Sequence, residues 1–204
     1  MAAVAAAADA VERAFPAPWI RQYSLKANDL PALTAFLAER GWGANVVSAG
    51  EWAGACEAGV PAERITFEGV GKTDAELLAA VDAAASGTPL QWLAIESTDE
   101  LRRLAELHDA RREVAGNAVD VPVLVRLNPD VDPETSPGLA VGLGSSKFGL
   151  SADDVLGVAA ADCWRGGLRL RGIHVHMGSH LRDVTAWATA GRRAAEMLGR
   201  VRKE

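Results

Sequence analysis

The sequence predicts an α/β fold built on a parallel sheet, and three observations carry that prediction. Apolar segments of strand length alternate six times with segments of helical periodicity, the pattern of a parallel sheet wrapped by helices. The fifth apolar segment, residues 121–128, reads V-P-V-L-V-R-L-N, a nearly continuous run of the kind a strand covered on both faces requires. The turn after the first strand, Lys26-Ala27-Asn28-Asp29-Leu30, is not the glycine-rich phosphate turn that normally opens a doubly wound sheet. Two architectures fit this pattern: a (β/α)8 TIM barrel, represented by about six β/α units where a closed barrel has eight, and a doubly wound open sheet, which could stop at six strands but would normally show that glycine turn.

The elements follow in order. Residues 1–14 are rich in alanine, the best helix former, and Pro16 and Pro18 stop that helix. Residues 1–18 are thus read as an N-terminal helix and 19–204 as the barrel portion. Strands are expected at 19–26, 44–48, 64–68, 90–96, 121–128 and 168–176. Helices are expected at 30–40, 51–58, 74–85, 99–112, 152–161 and 186–201, the first marked by Leu30, Leu33, Phe36 and Leu37 at helical spacing. Ser48, Thr98 and Ser151 stand where helix caps belong. A long loop, 129–149, separates the fifth strand from its helix.

A 204-residue chain with 49% hydrophobic content can bury a sizeable core, most simply as one domain. Its formal charge of −6 provides no basic patch for nucleic acid or an anionic membrane, so small-molecule chemistry or protein partners are expected. Residues 1–8 are apolar but carry no basic leader, and Asp9 ends the run well short of a membrane span. Cys56 and Cys163 have no metal-ligand spacing and make a weak disulfide case, which fits a reducing, cytoplasmic setting.

In a parallel barrel the C-terminal ends of all strands converge on one face. Those ends carry Lys26 and Asn28, then Asn45, Ser48 and Glu51, then Gly69, Gly71 and Lys72. Glu96 and Ser97 follow the fourth strand, Arg126 and Asn128 the fifth, and His174, His176, Gly178, Ser179 and His180 the sixth. A lone lysine at a strand end is ordinarily a solvated charge; this company distinguishes Lys26. His174 and His176 alternate with Ile173 and Val175, so both imidazoles share one face of the sheet. Such a pair could enter a metal site with His180 or Asp183 as a third ligand. Lys26 weighs against a metal, because a lysine facing histidine, arginine and small turns suits an aldehyde cofactor bearing a phosphate. Gly178-Ser179 offers backbone N–H groups and a hydroxyl to that anion.

These residues carry a resemblance. Y-S-L-K-A-N (23–28), A-N-V-V-S-A-G-E (44–51), I-T-F-E-G-V-G-K-T (65–73), V-R-L-N-P-D-V (125–131), S-K-F-G (146–149) and G-I-H-V-H-M-G-S (172–179) occur in the right order over nearly the whole chain. Together they resemble the barrel domain of the fold-type III pyridoxal-phosphate decarboxylases. That alanine-racemase-like family includes diaminopimelate, ornithine and arginine decarboxylases. The N-P-D-V…S-K-F-G loop and the double-histidine strand are most similar to the diaminopimelate enzymes.

The resemblance implies pyridoxal 5'-phosphate as cofactor and no metal. It makes Lys26 the catalytic lysine that bonds to the cofactor, stacks His176 on the ring, and gives Ser179 to the phosphate. It places Arg126, Glu51 and Asn45 on the cofactor face and lets Lys147 orient its neighbours. The implied activity is decarboxylation of an amino acid, in the first instance meso-diaminopimelate to L-lysine, by a protein that is a homodimer at full length. Decarboxylation of ornithine or arginine, racemisation, or a scaffold kept only for protein interaction are the alternatives.

Some positions depart from the family pattern. Asn45 stands where an aspartate is common, His180 where a glutamine is usual, and Ser136 where a histidine is usual. The family's main phosphate-binding glycine loop, the carboxylate that pairs with the pyridine nitrogen, and a C-terminal β domain would follow the sixth unit. The chain is therefore expected to be a partial barrel with little activity alone.

Overall fold

The computed structural model describes residues 1–115, 119–131, 147–179 and 184–203. Ser136, His180 and Asp183 lie outside the described residues. Six parallel strands form one sheet in sequential order: β1 (Gln22–Ser24), β2 (Gly43–Val46), β3 (Ile65–Phe67), β4 (Trp92–Ile95), β5 (Val121–Arg126) and β6 (Leu168–His174). The helices are α1 (Ala2–Ala14), α2 (Pro31–Glu39), α3 (Ala49–Glu57), α4 (Asp74–Ala85), α5 (Thr98–Ala115), α6 (Ala152–Ala159) and α7 (Thr185–Val201). Every strand is shorter than its apolar segment, because the chain turns away at the strand ends where the polar residues begin. Lys26 is one such case, sitting in a 3-10 turn, Leu25–Ala27, just beyond β1.

Register separates the two faces of the sheet. Ser24, Asn45, Thr66 and Trp92 pair across β1 to β4 as one row and line a common cavity. Their neighbours Ala44, Val46, Ile65, Phe67, Leu93 and Ile95 are buried in the main hydrophobic core. Each large side chain there contributes about 1.5–3 kcal/mol by burial. β5 does not have both faces sealed: Val121, Val123 and Val125 are buried, whereas Pro122 and Leu124 are only partly so. Leu124 lines the cavity on the inner face. Between β5 and β6 the register shifts, Val123 pairing with Leu170 and Leu124 with Gly172, so that Arg171 is skipped. This bulge changes the phase of β6. Leu168 and Leu170 pack on the core before it and Ile173 after it, while His174 lines the inner cavity.

The described strands do not close a barrel, since β1 and β6 each have one strand partner among the described residues. The sheet is nevertheless curled. Five spacings in a flat sheet would put β1 and β6 about 24 Å apart, yet Lys26 Nζ lies 3.0 Å from His176 Nε2.

Caps hold the helix starts beside the strand ends. Ser48 accepts from Glu51 N (3.2 Å) and Ser151 from Asp154 N (3.2 Å), as their positions predict. At α5 the cap is Ser97, whose hydroxyl accepts from Glu100 N (3.1 Å). Thr98 is the first helical residue rather than the cap. α1 packs Val4 and Ala8 against Leu37 and Trp42. Arg40 anchors it by pairing with Glu12 and Asp9.

Candidate active site

Lys26 projects from the turn after β1 with its side chain 38% exposed, and two groups from distant strands meet its amine. His176 Nε2 approaches to 3.0 Å and Glu68 Oε1 to 3.6 Å. His176 is oriented by Gly178, whose backbone N–H donates to Nδ1 at 3.0 Å; Gly178 has φ +132°, a conformation suited to glycine. Burial first, then the charge on Lys26, push the His176 imidazole down to about 4, so it is neutral near pH 7.

Glu68 follows β3 and is 4% exposed. Its Oε2 accepts from His174 Nε2 at 2.7 Å. Burial would raise this carboxyl, but the His174 hydrogen bond and the charges of His174, Lys26 and His176 outweigh that and hold it at about 2.

A buried ion-pair cluster braces the neighbouring strand ends. Arg126 Nη1 contacts both Glu96 oxygens at 2.7 Å, and its guanidinium carbon lies 5.1 Å from the Phe148 ring centre. Glu96 also accepts from Gly69 N (2.8 Å), while Lys72 donates to Gly69 O (2.5 Å) and pairs with Glu100 (2.9 Å). Gly69, at φ +109°, is thus held by both of its backbone polar groups.

Two cavities, of about 500 and about 360 Å³, share Lys26, Glu68, His176 and Ser179 as lining. Asn45 lines the larger and Arg126 and Gly178 the smaller. Asn45 Oδ1 accepts from Ser24 Oγ at 3.3 Å. Glu51 lines neither cavity; its carboxylate accepts from Val47 N (2.9 Å) and steadies the start of α3. Lys147 is exposed, with Nζ 5.5 Å from the Phe148 ring centre. The structure therefore gathers Lys26, His176, Ser179, Arg126 and Asn45 around connected space and leaves Glu51 behind it.

Among the described residues no group of three or more His, Cys, Asp and Glu could hold a metal ion. The donor set fits pyridoxal phosphate. It offers a primary amine for the aldehyde, a neutral imidazole of comparable flatness for the ring, and hydroxyl and amide groups for the polar substituents. Thr66 Oγ1 and His174 Nδ1, buried without a partner among the described residues, leave polar capacity on the cavity side.

Sequence reasoning missed Glu68, which it placed inside the third strand. The available signal was the single acid closing I-T-F-E, one side-chain alternation past Thr66 and hence on the same face. Glu100 carried no such signal, since an acid in a first helical turn is ordinary.

Comparison with known proteins agrees with this geometry. Residues 1–204 match the model of the family described as pyridoxal-dependent decarboxylase, pyridoxal binding domain. Diaminopimelate decarboxylase of Zymomonas mobilis is 36% identical over 181 residues, covering 89% of this chain and 40% of the relative. That of Aquifex aeolicus is 38% identical over 183 residues, with the same two coverages. The crystal structure of Helicobacter pylori diaminopimelate decarboxylase complexed with L-lysine superposes with a TM-score of 0.85 at 27% identity, covering 98% of this chain and 48% of that one. The chain spans about 40% of the length of these curated relatives. On the match over its whole length, the chain belongs to the family of pyridoxal-binding domains of pyridoxal-dependent decarboxylases.

Proposed function

We propose that the protein carrying this chain is a carboxy-lyase that removes a carboxylate from an amino acid, with meso-diaminopimelate as substrate and L-lysine as product. The observation that carries the reading is the meeting of Lys26, His176 and Glu68 from three strand ends. The identity of the curated relatives as diaminopimelate decarboxylases supports the substrate. Pyridoxal phosphate, when bound, supplies a ring that takes up the electron pair left as the carboxylate departs.

The chain's residues divide the remaining work. Lys26 would provide the amine that bonds to the cofactor aldehyde and could hold or release a proton at Nζ. His176, neutral and fixed by Gly178, offers its flat face to the ring and adds no positive charge there. Arg126, its charge already answered by Glu96, is a buried part of the lining of the smaller cavity, and Ser179 would offer a hydroxyl to the phosphate. Asn45 stands on the larger cavity as a neutral hydrogen-bonding group, and Glu51 supports the backbone behind it. A small amino acid is the partner in this reading, and the full-length protein works as a homodimer.

Carbon dioxide release tests the reading. The full-length protein, supplied with pyridoxal phosphate, is expected to release it from meso-diaminopimelate faster than from ornithine or arginine, and Lys26→Ala to abolish the release. Release from ornithine or arginine alone overturns the substrate assignment. Undiminished release by the Lys26 variant overturns the assignment of the lysine.

A further inference from the structure

Among the described residues Glu68 is the acid that pairs with the Lys26 amine, and nothing in the family motifs gives it a task. Its two oxygens face different ways. Oε1 lies 3.6 Å from Lys26 Nζ, and Oε2 accepts from His174 Nε2 at 2.7 Å. A carboxylate in this setting accepts only, so His174 carries a hydrogen on Nε2 and fixes the carboxylate plane. With the side chain 5% exposed, solvent screens the charge little. The other titratable groups near the amine are His176, neutral near pH 7, and Arg126 at the end of β5. Arg126 is bound to Glu96 of the β4 end, and Lys72 of the β3 loop to Glu100 of α5. Glu68 is therefore the one acid among these groups that faces Lys26 without a cationic side chain of its own from the Arg126 or Lys72 pairs.

We infer that Glu68, braced by His174, is a positioning residue that aims the Lys26 nitrogen and favours a positive charge on it once it is bonded to the cofactor. The carboxylate acts through Lys26. No bond is made or broken by Glu68; the proton stays on nitrogen, and the carboxylate makes it harder to remove. The inference rests on the reading that Lys26 bonds to pyridoxal phosphate.

The test is spectroscopic and needs no turnover. Pyridoxal phosphate added to the purified protein gives a visible absorbance band while the bonded nitrogen holds its proton, and the band fades as alkali removes that proton. Glu68→Gln is expected to lower the pH of half-loss by about one unit or more, the effect of removing an opposite charge at this range. Glu68→Asp is expected to keep most of the wild-type midpoint, and His174→Asn to move it part of the way. A packing role alone would weaken the band and the thermal melt without moving the midpoint. An unmoved midpoint in a Gln variant that still forms the band overturns the inference and leaves the proposed function standing. If the Gln variant forms no band, the Asp variant decides: a restored band at the wild-type midpoint supports the inference, and no band overturns it. Absence of the band from the wild type overturns both this inference and the proposed function.

Discussion

At the scale of single residues, Lys26 is the point where side chains from the ends of β3 and β6 meet. Lys26, His176, Ser179 and Arg126 stand at the ends of recognisable strands, and the structure brings them to shared cavities. Glu68 escaped because a strand pattern records which face a side chain takes but not which distant side chain meets it. Glu51 shows the converse, since its motif position suggests the cofactor face while its carboxylate is spent on Val47 N. The titration of His176 gives a prediction. Burial and the Lys26 charge hold it near 4, below its ordinary value of 6.5. Between those values the unfolded chain takes up a proton that the fold resists, so stability falls as pH drops from about 6.5 towards 4. The group contributes no pH dependence above that window. Glu68, held at about 2, loses its contribution only as pH falls from the ordinary carboxylate range towards 2. Urea midpoints of the cofactor-free protein between pH 6.5 and 4 check this, and His176→Phe is expected to flatten the decline. An equal decline in that variant counts against the assignment.

At the scale of elements, the alternation of six strands with helices was readable because each segment has its own period. Their exact ends were not, because caps and turns decide them. The α5 start lies with Ser97 rather than Thr98, one residue from the expected place, since only Ser97 meets Glu100 N. The β6 bulge left only a trace, the apolar positions passing from Leu168 and Leu170 to Ile173 and Val175, and pairing with β5 is what shows that Arg171 is skipped. Close approach gives the element-scale prediction. A Cβ on Gly43 would stand 2.1 Å from Arg64 O, where β2 enters the sheet beside Gln22 and ahead of β3. Gly43→Ala is expected to cost about 3 kcal/mol, whereas Ser48→Ala, which removes only the α3 cap, costs about 1 kcal/mol. Chemical denaturation ranks the two, and a Gly43 variant as stable as the Ser48 variant contradicts the packing described for β2.

At the scale of the whole molecule, the sequence predicts a barrel-like sheet, and the structure has the curl without closure among the described strands. Curl was not readable from composition or periodicity. It follows from sheet twist accumulated over six strands, and it carries Lys26 and His176, 150 positions apart, into contact. The proposed function depends on that curl, because a flat sheet would leave the lysine facing solvent and the histidines on the far edge. The same curl underlies the proposal that Lys26, alone among the chain's four lysines, bonds to pyridoxal phosphate. Borohydride reduction of the cofactor-loaded protein, followed by peptide mass mapping, tests it most directly. The reduced cofactor mass is expected on the peptide containing Lys26 and is expected to be lost in Lys26→Ala. Cofactor found instead on Lys72, Lys147 or Lys203, or on no lysine, would contradict it.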